Sequence, residues 1–231
     1  MHLERLSNET HVSLRISSAP TPEFAASLQL AMITAGEFND AALAHPIVFA
    51  EKDGEPAPCV VLGLEEGRNQ NIGPDGLWRP HTYIPGVIRA YPFVPVDLGN
   101  EEVGICIDTE FTGWSTTEGK RLFFDDGSRT PFLDESVTMV LQGVRDTLRT
   151  REFTSELLRL GLLRRELMTA SHRDGRSVSF TDFMAVDDEE LHRLPGSDLI
   201  RLRDSGYLRW IHAHLISLNH MKRLIGELVD G

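Results

Sequence analysis

Proline fixes φ and carries no N–H, so a chain that places Pro80, Pro85 and Pro92 within thirteen residues cannot run a long helix there and breaks any strand into short pieces. The stretch in question, Leu77 to Phe93, also holds one of the chain's three tryptophans and two of its three tyrosines. Large rings bring apolar area while the indole N–H and phenol O–H need partners, so a bent, ring-rich segment of this kind organises a core or forms a binding surface. Burial is the default for such rings. Because aromatic and arginine side chains concentrate at interaction hot spots, Trp78, Tyr83, Arg89, Tyr91 and Phe93 are the candidate binding residues.

Ahead of this stretch the pattern is one of short strands and turns. His11 to Ser17 alternates polar and apolar residues, the period of a half-buried strand, and Pro20 and Pro22 end it. Thr34-Ala35-Gly36-Glu37 fits a capping box opening a short helix, Ala35 to Ala44, which Pro46 stops. Ile47 to Ala50 and Cys59 to Leu64 flank Asp53-Gly54 and predict a hairpin whose loop exceeds the two-residue minimum. The proline-rich stretch is then expected as the next strand of a meander, followed by strands at Val103 to Ile107 and Arg121 to Phe124.

After Pro131 the period changes. Val137, Val140, Leu141, Val144 and Leu148 follow helical spacing, and Phe153 to Leu162 continue as a second helix ending near Gly161. Glu166 to Ser171 and Arg176 to Phe180 predict a small hairpin around Asp174-Gly175. Asp187 caps an acidic first turn, Ser197-Asp198 opens another short helix stopped at Gly206, and Tyr207 to Val229 carries one apolar stripe: Leu208, Ile211, Leu215, Leu218, Ile225 and Leu228.

A formal net charge of -12 over 231 residues excludes broad electrostatic binding of nucleic acid, which needs Lys and Arg to displace counterions, and disfavours an anionic membrane surface. No apolar run approaches the roughly 20 residues of a bilayer crossing. The first ten residues are polar and acidic where a secretory signal needs a basic start and an apolar run, so the expectation is a soluble, cytoplasmic chain. Two cysteines, Cys59 and Cys106, each in an apolar run, read as core thiols.

Motifs that would carry chemistry fail on geometry. At about 100° per residue, His214 lies some 200° from His212 and His220 some 240° from His214, so these imidazoles do not share a helix face and no metal is assigned. His172-Arg173-Asp174-Gly175 reads as a hairpin turn, because the other elements of a kinase loop are missing. No nucleophile elbow, phosphate loop or dinucleotide fingerprint occurs, and no cofactor is implied. The acid pairs Glu65-Glu66, Glu101-Glu102, Asp125-Asp126 and Asp187-Asp188 read as solvated turns and a helix cap.

The order of segments resembles the bacterial SapC family. The resemblance rests on Ala35-Gly36-Glu37-Phe38, His45-Pro46-Ile47-Val48-Phe49, Val61-Leu62-Gly63-Leu64, Trp78, Arg89-Ala90-Tyr91-Pro92-Phe93, Cys106-Ile107-Asp108, Leu122-Phe123, Leu191, Leu194, Gly206 and His214-Leu215-Ile216-Ser217-Leu218. It implies a link to outer-membrane receptor and uptake systems, under labels of surface-layer component and peptide-transport protein, and it carries no set of catalytic residues.

These readings together predict an α+β fold in a single domain, with a β-rich lobe of short antiparallel strands over about 1–131 and a helical lobe over about 132–231 ending in a long amphipathic helix. The expected function is that of a non-enzymatic accessory protein binding a protein or peptide partner, with a homodimer allowed. The alternatives are an enzyme or subunit of an oxygenase-like or halogenase-like system and a self-assembling surface-layer protein.

Overall fold

The computed structural model of the chain describes residues 1–17, 23–99, 102–171 and 177–230. Pro20 and Pro22, Glu101, and the His172-Arg173-Asp174-Gly175 turn lie outside them. In chain order the strands are β1 (Leu3–Arg5), β2 (Arg15–Ile16), β3 (Leu30–Met32), β4 (Ile47–Lys52), β5 (Glu55–Val61), β6 (Phe93–Gly99), β7 (Glu102–Asp108), β8 (Trp114–Ser115), β9 (Lys120–Arg121), β10 (Leu163–Ser171) and β11 (Ser177–Val186). The helices are α1 (Phe38–Ala41), α2 (Gly86–Ala90), α3 (Pro131–Arg159), α4 (Asp188–Arg193), α5 (Gly196–Asp204), α6 (Tyr207–Ser217) and α7 (Met221–Asp230). The described strands pair antiparallel and the chain closes in helices, so the class is α+β.

The chain forms two compact units, each built from two stretches: Met1–Pro22 with Gly86–Arg145, and Glu23–Pro85 with Asp146–Gly231. The proline-rich stretch is therefore divided at Pro85.

In the first unit one sheet has the order β1-β7-β6 and a second the order β8-β2-β9. Phe93, Ile107, Leu122, Phe123, Leu133, Val137 and Val140 form its core, with Leu14, Ile16 and Trp114 packed against them. The expected strand His11–Ser17 shrinks to two residues, because only Arg15 and Ile16 find ladder partners. Thr130 starts α3: its Oγ accepts from the Leu133 N–H at 3.3 Å, and Pro131, which has no N–H to lose, takes the first helical position. Where two helices were expected, α3 runs unbroken for 29 residues to Arg159, and Gly161, at φ 67°, terminates it.

The second unit is built on the sheet β10-β11-β4-β5-β3. The β4–β5 loop is tighter than expected: Lys52 pairs with Glu55, leaving Asp53 and Gly54, at φ 54° and 83°, as a two-residue primed turn. β5 starts earlier than the expected Cys59, and its ladder with β4 contains Pro56 and Pro58. The Pro58 carbonyl accepts from the Ile33 N–H, so the nitrogens of this same-facing pair point away from β4 and the ladder to β4 loses no bond. The hairpin β10–β11 is longer than expected and carries a bulge between Glu166 and Met168.

Two packed groups hold this unit together. Val48, Cys59, Val61, Leu64, Phe180, Phe183, Leu224 and Leu228 bury the inner face of the sheet against α7. Phe38, Phe49, Phe153, Trp210 and His214 make a knot of rings with centroids 5.2–6.3 Å apart. Each fully buried phenylalanine contributes roughly 1.5–3 kcal/mol of apolar transfer. The last helix is interrupted: the segment Leu218–His220 tightens to a 3₁₀ turn after Ser217, whose hydroxyl donates to the His214 carbonyl at 2.6 Å and accepts from the Ile47 N–H at 2.9 Å. The helix expected from Ala35 to Ala44 is a 3₁₀ turn followed by the four-residue α1; its capping box is present, with Glu37 accepting from the Thr34 N–H at 2.8 Å.

Candidate functional site

The segment Gln70 to Pro80 encloses an open depression of about 480 Å³ on the second unit, lined by Gln70, Asn71, Ile72, Pro74, Asp75, Leu77, Trp78 and Arg79 among others. No strand forms here, contrary to the meander expectation: Ile72 and Trp78 make a single isolated bridge, and the prolines that follow prevent its extension. The rim is held by side chains bonded to backbone. Asn69 Nδ2 donates to the Ala25 carbonyl at 2.8 Å, while Asn71 Nδ2 donates to the Leu62 carbonyl at 3.1 Å. The Gln70 N–H donates to the same Leu62 carbonyl at 2.8 Å, and a Cβ on Gly63 would lie 2.0 Å from the Arg68 carbonyl oxygen. Only a residue without a side chain fits that crossing.

Behind the depression lies a charged network. Arg79 Nη1 stands 2.8 Å from Glu227 Oε1, and Arg223 reaches the same carboxylate at 3.2 Å. Arg223 also donates to Asn71 Oδ1 and to the Ala44 carbonyl, each at 3.3 Å. Asp75 Oδ1 accepts from the Leu77 N–H at 3.0 Å, and its side chain is exposed.

His45, fully buried, packs edge-on against Trp78 with ring centroids 6.1 Å apart. Its Nε2 lies 2.6 Å from the Tyr83 carbonyl and so is the donor. Burial lowers its pKa to about 4; the Tyr83 carbonyl opposes the shift, and Arg223, His220 and Arg79 add to it. His45 is therefore neutral, and its Nδ1 is a lone pair with no donor. The Trp78 Nε1–H, also buried, has no acceptor. The Tyr83 hydroxyl donates to Glu37 Oε1 at 2.8 Å. Trp78 and the Tyr83 carbonyl meet through His45, which packs on the one and bonds the other.

Arg89, Tyr91 and Phe93 belong to the first unit. Arg89 is exposed near the end of α2, a helix that replaces the expected strand and is started by Pro85, whose φ suits a helix N-terminus. The Tyr91 hydroxyl donates to Asp108 Oδ2 at 2.8 Å, and burial together with that carboxylate pushes its pKa up to about 12. Asp108 also accepts from the N–H groups of His2 at 3.0 Å and Glu110 at 3.2 Å; burial works against its charge, and these bonds outweigh burial and hold its pKa below the usual value. The Trp114 Nε1–H donates to the Asp108 carbonyl at 2.8 Å. Phe93 is buried against Trp114 and Phe132.

His212 is exposed, His214 buried with Nε2 accepting from the Val186 N–H at 3.0 Å, and His220 bonded to the Ala42 carbonyl at 3.1 Å. Among the described residues no three His, Cys, Asp or Glu side chains gather as a metal site. Cys59 lies beside Met32, and burial pushes its thiol up to about 11, out of the nucleophilic range.

Sequence reasoning did not mark His45, Arg79, Asn71, Arg223, Glu227 or Asp108 as site residues. A lone histidine opening the apolar run His45 to Phe49 was the available signal for the first, and the polar triplet Asn69-Gln70-Asn71 for the rim.

A family model described as SapC matches residues 6–224. The chain belongs to the SapC family. The match takes in the whole of the depression's lining and stops short of Glu227, so one partner of Arg79 falls outside the matched residues. Neither the curated proteins nor the solved structures gave a match. Among the described residues no helix is long and apolar enough to cross a membrane.

Proposed function

We propose that this SapC chain is a soluble, cytoplasmic, non-enzymatic accessory protein that binds a protein or peptide partner through the depression at Ile72 to Arg79. The observation that carries the reading is the composition of that depression. Its wall joins a tryptophan and an arginine, the residue types that dominate interaction energetics. Its amides and backbone groups are tied into the bonds that shape the rim. Exposed Leu77 on the rim adds apolar area for a partner to cover.

A photo-crosslinking side chain placed at Leu77 in the native host tests this. The expected result is a discrete adduct that disappears when Arg79 is changed to Ala and that does not form from Leu167, an exposed side chain on β10 outside the depression's lining. No adduct, or the same adduct from both positions, overturns the reading.

A further inference from the structure

The depression brings opposite charges and an apolar surface together in one open hollow. Arg79 lines it with a guanidinium that spends one N–H on Glu227 and another on the Gln70 carbonyl at 3.4 Å, leaving further donors of its five. Asp75 lines it with an exposed carboxylate that accepts one backbone N–H, leaving acceptor capacity. Ile72, Pro74, Leu77, Trp78 and Pro80 supply the apolar part. The same wall contains a nine-tenths buried indole whose N–H has no acceptor.

We infer that the depression takes a short apolar peptide with both ends free, its α-ammonium set against Asp75, its terminal carboxylate against Arg79, and its apolar side chains against the wall that includes Trp78. This rests on the reading of the depression as the binding face and names the chemistry it would recognise. A net anionic ligand would meet Asp75 and Glu227, and a net cationic one Arg79 and Arg223; a zwitterion answers both signs. An acidic side chain brings a carboxylate but no apolar group on the same residue, whereas the last residue of an apolar peptide brings both. A volume of about 480 Å³ lies within the usual range of small-ligand sites, about 300–1,000 Å³.

The test uses the full chain and four probes: leucyl-leucine, its N-acetyl form, its C-terminal amide, and free leucine. Titration calorimetry gives affinity. The indole ¹⁵N–¹H resonance of Trp78, one of three tryptophans and identified with Trp78→Phe, reports contact. The free-ended dipeptide is expected to move that resonance, and each cap to weaken binding about tenfold, the scale of one charge-assisted contact. Asp75→Asn should abolish the acetyl penalty and keep the amide penalty. Arg79→Gln should do the reverse, while Arg79→Lys, which retains the charge and guards against a folding defect, should restore the amide penalty. Three results would overturn the inference: caps without effect, a Trp78 resonance that no probe moves, or free leucine binding as tightly as the dipeptide. A specific adduct from Leu77 together with cap-insensitive binding would sink the zwitterion and leave the partner reading standing. Cap-dependent binding with no adduct would leave the short-peptide site standing and remove the larger protein partner.

Discussion

Two tryptophans in similar ring-rich settings are treated differently by this fold. Trp114, in the first unit, gives its indole proton to the Asp108 carbonyl, and the carboxylate of the same residue gathers the Tyr91 hydroxyl and two backbone N–H groups. Trp78, in the second, is buried against His45, and the two rings leave one donor and one acceptor unanswered. A closed set of bonds of the first kind fixes a chain path. An open set of the second kind costs folding energy and is retained next to a depression lined by Arg79 and Asp75. The contrast separates a structural aromatic cluster from one with capacity to spare.

The sharpest way to break this comparison is at Asp108. Asp108→Ala strands the Tyr91 hydroxyl and the Glu110 N–H, and should cost about 3 kcal/mol in urea unfolding. A loss under about 1 kcal/mol would show that the Asp108 cluster holds nothing together.

Acid should then divide the two regions by pH. His45 and His214 are both lowered to about 4 by burial, from an ordinary value of 6.5. A depressed histidine pKa means that folding favours the neutral ring, so their contribution is full above pH 6.5 and is lost as pH falls from there toward 4. The loss is up to about 3 kcal/mol for each ring. Asp108, whose carboxyl is held below its ordinary 3.8, contributes fully above that value and fails only at still lower pH. Urea midpoints at pH 7, 5 and 4 should therefore fall in wild type and fall less in His45→Gln, with Asp108→Ala leaving that slope unchanged.

A smaller effect sharpens the tryptophan pair. Beyond the loss of ring area common to both, Trp114→Phe should cost about 1 kcal/mol for the lost indole bond to the Asp108 carbonyl, which keeps the Phe111 N–H, and Trp78→Phe nothing for its indole N–H. Equal residual costs would show that the Trp78 nitrogen has a partner after all. The smallest expected effect is a control: Arg165→Ala, which removes an exposed ion pair with Glu51, should leave unfolding unchanged.

How much of this was legible in the residues depends on the range of the interaction. Local chemistry was readable: the Thr34–Glu37 box, Asp187 accepting from the Glu189 and Glu190 N–H groups, Gly206 at φ 81°, and the core burial of Cys59 all follow from neighbours in sequence. Elements that depend on distant partners were not. β1 is three exposed residues made into a strand only by pairing with β7, and β5 keeps two prolines only because their nitrogens face away from β4. The depression was half legible: Trp78 was marked by residue type, but Arg79 meets Glu227, 148 positions further along the chain, which no local pattern encodes. The break between α6 and α7 was hidden for the same reason, since Ser217 turns there to receive the Ile47 N–H.

The missing methyl at Gly63 has a consequence for how the molecule tolerates change. The Arg68 carbonyl crosses so close that even alanine would push the 64–70 segment outward, and that segment ends in the amides shaping the cavity rim. A substitution touching no ligand could thus retune the mouth of the hollow, making this glycine a steric lever for altering selectivity from outside it.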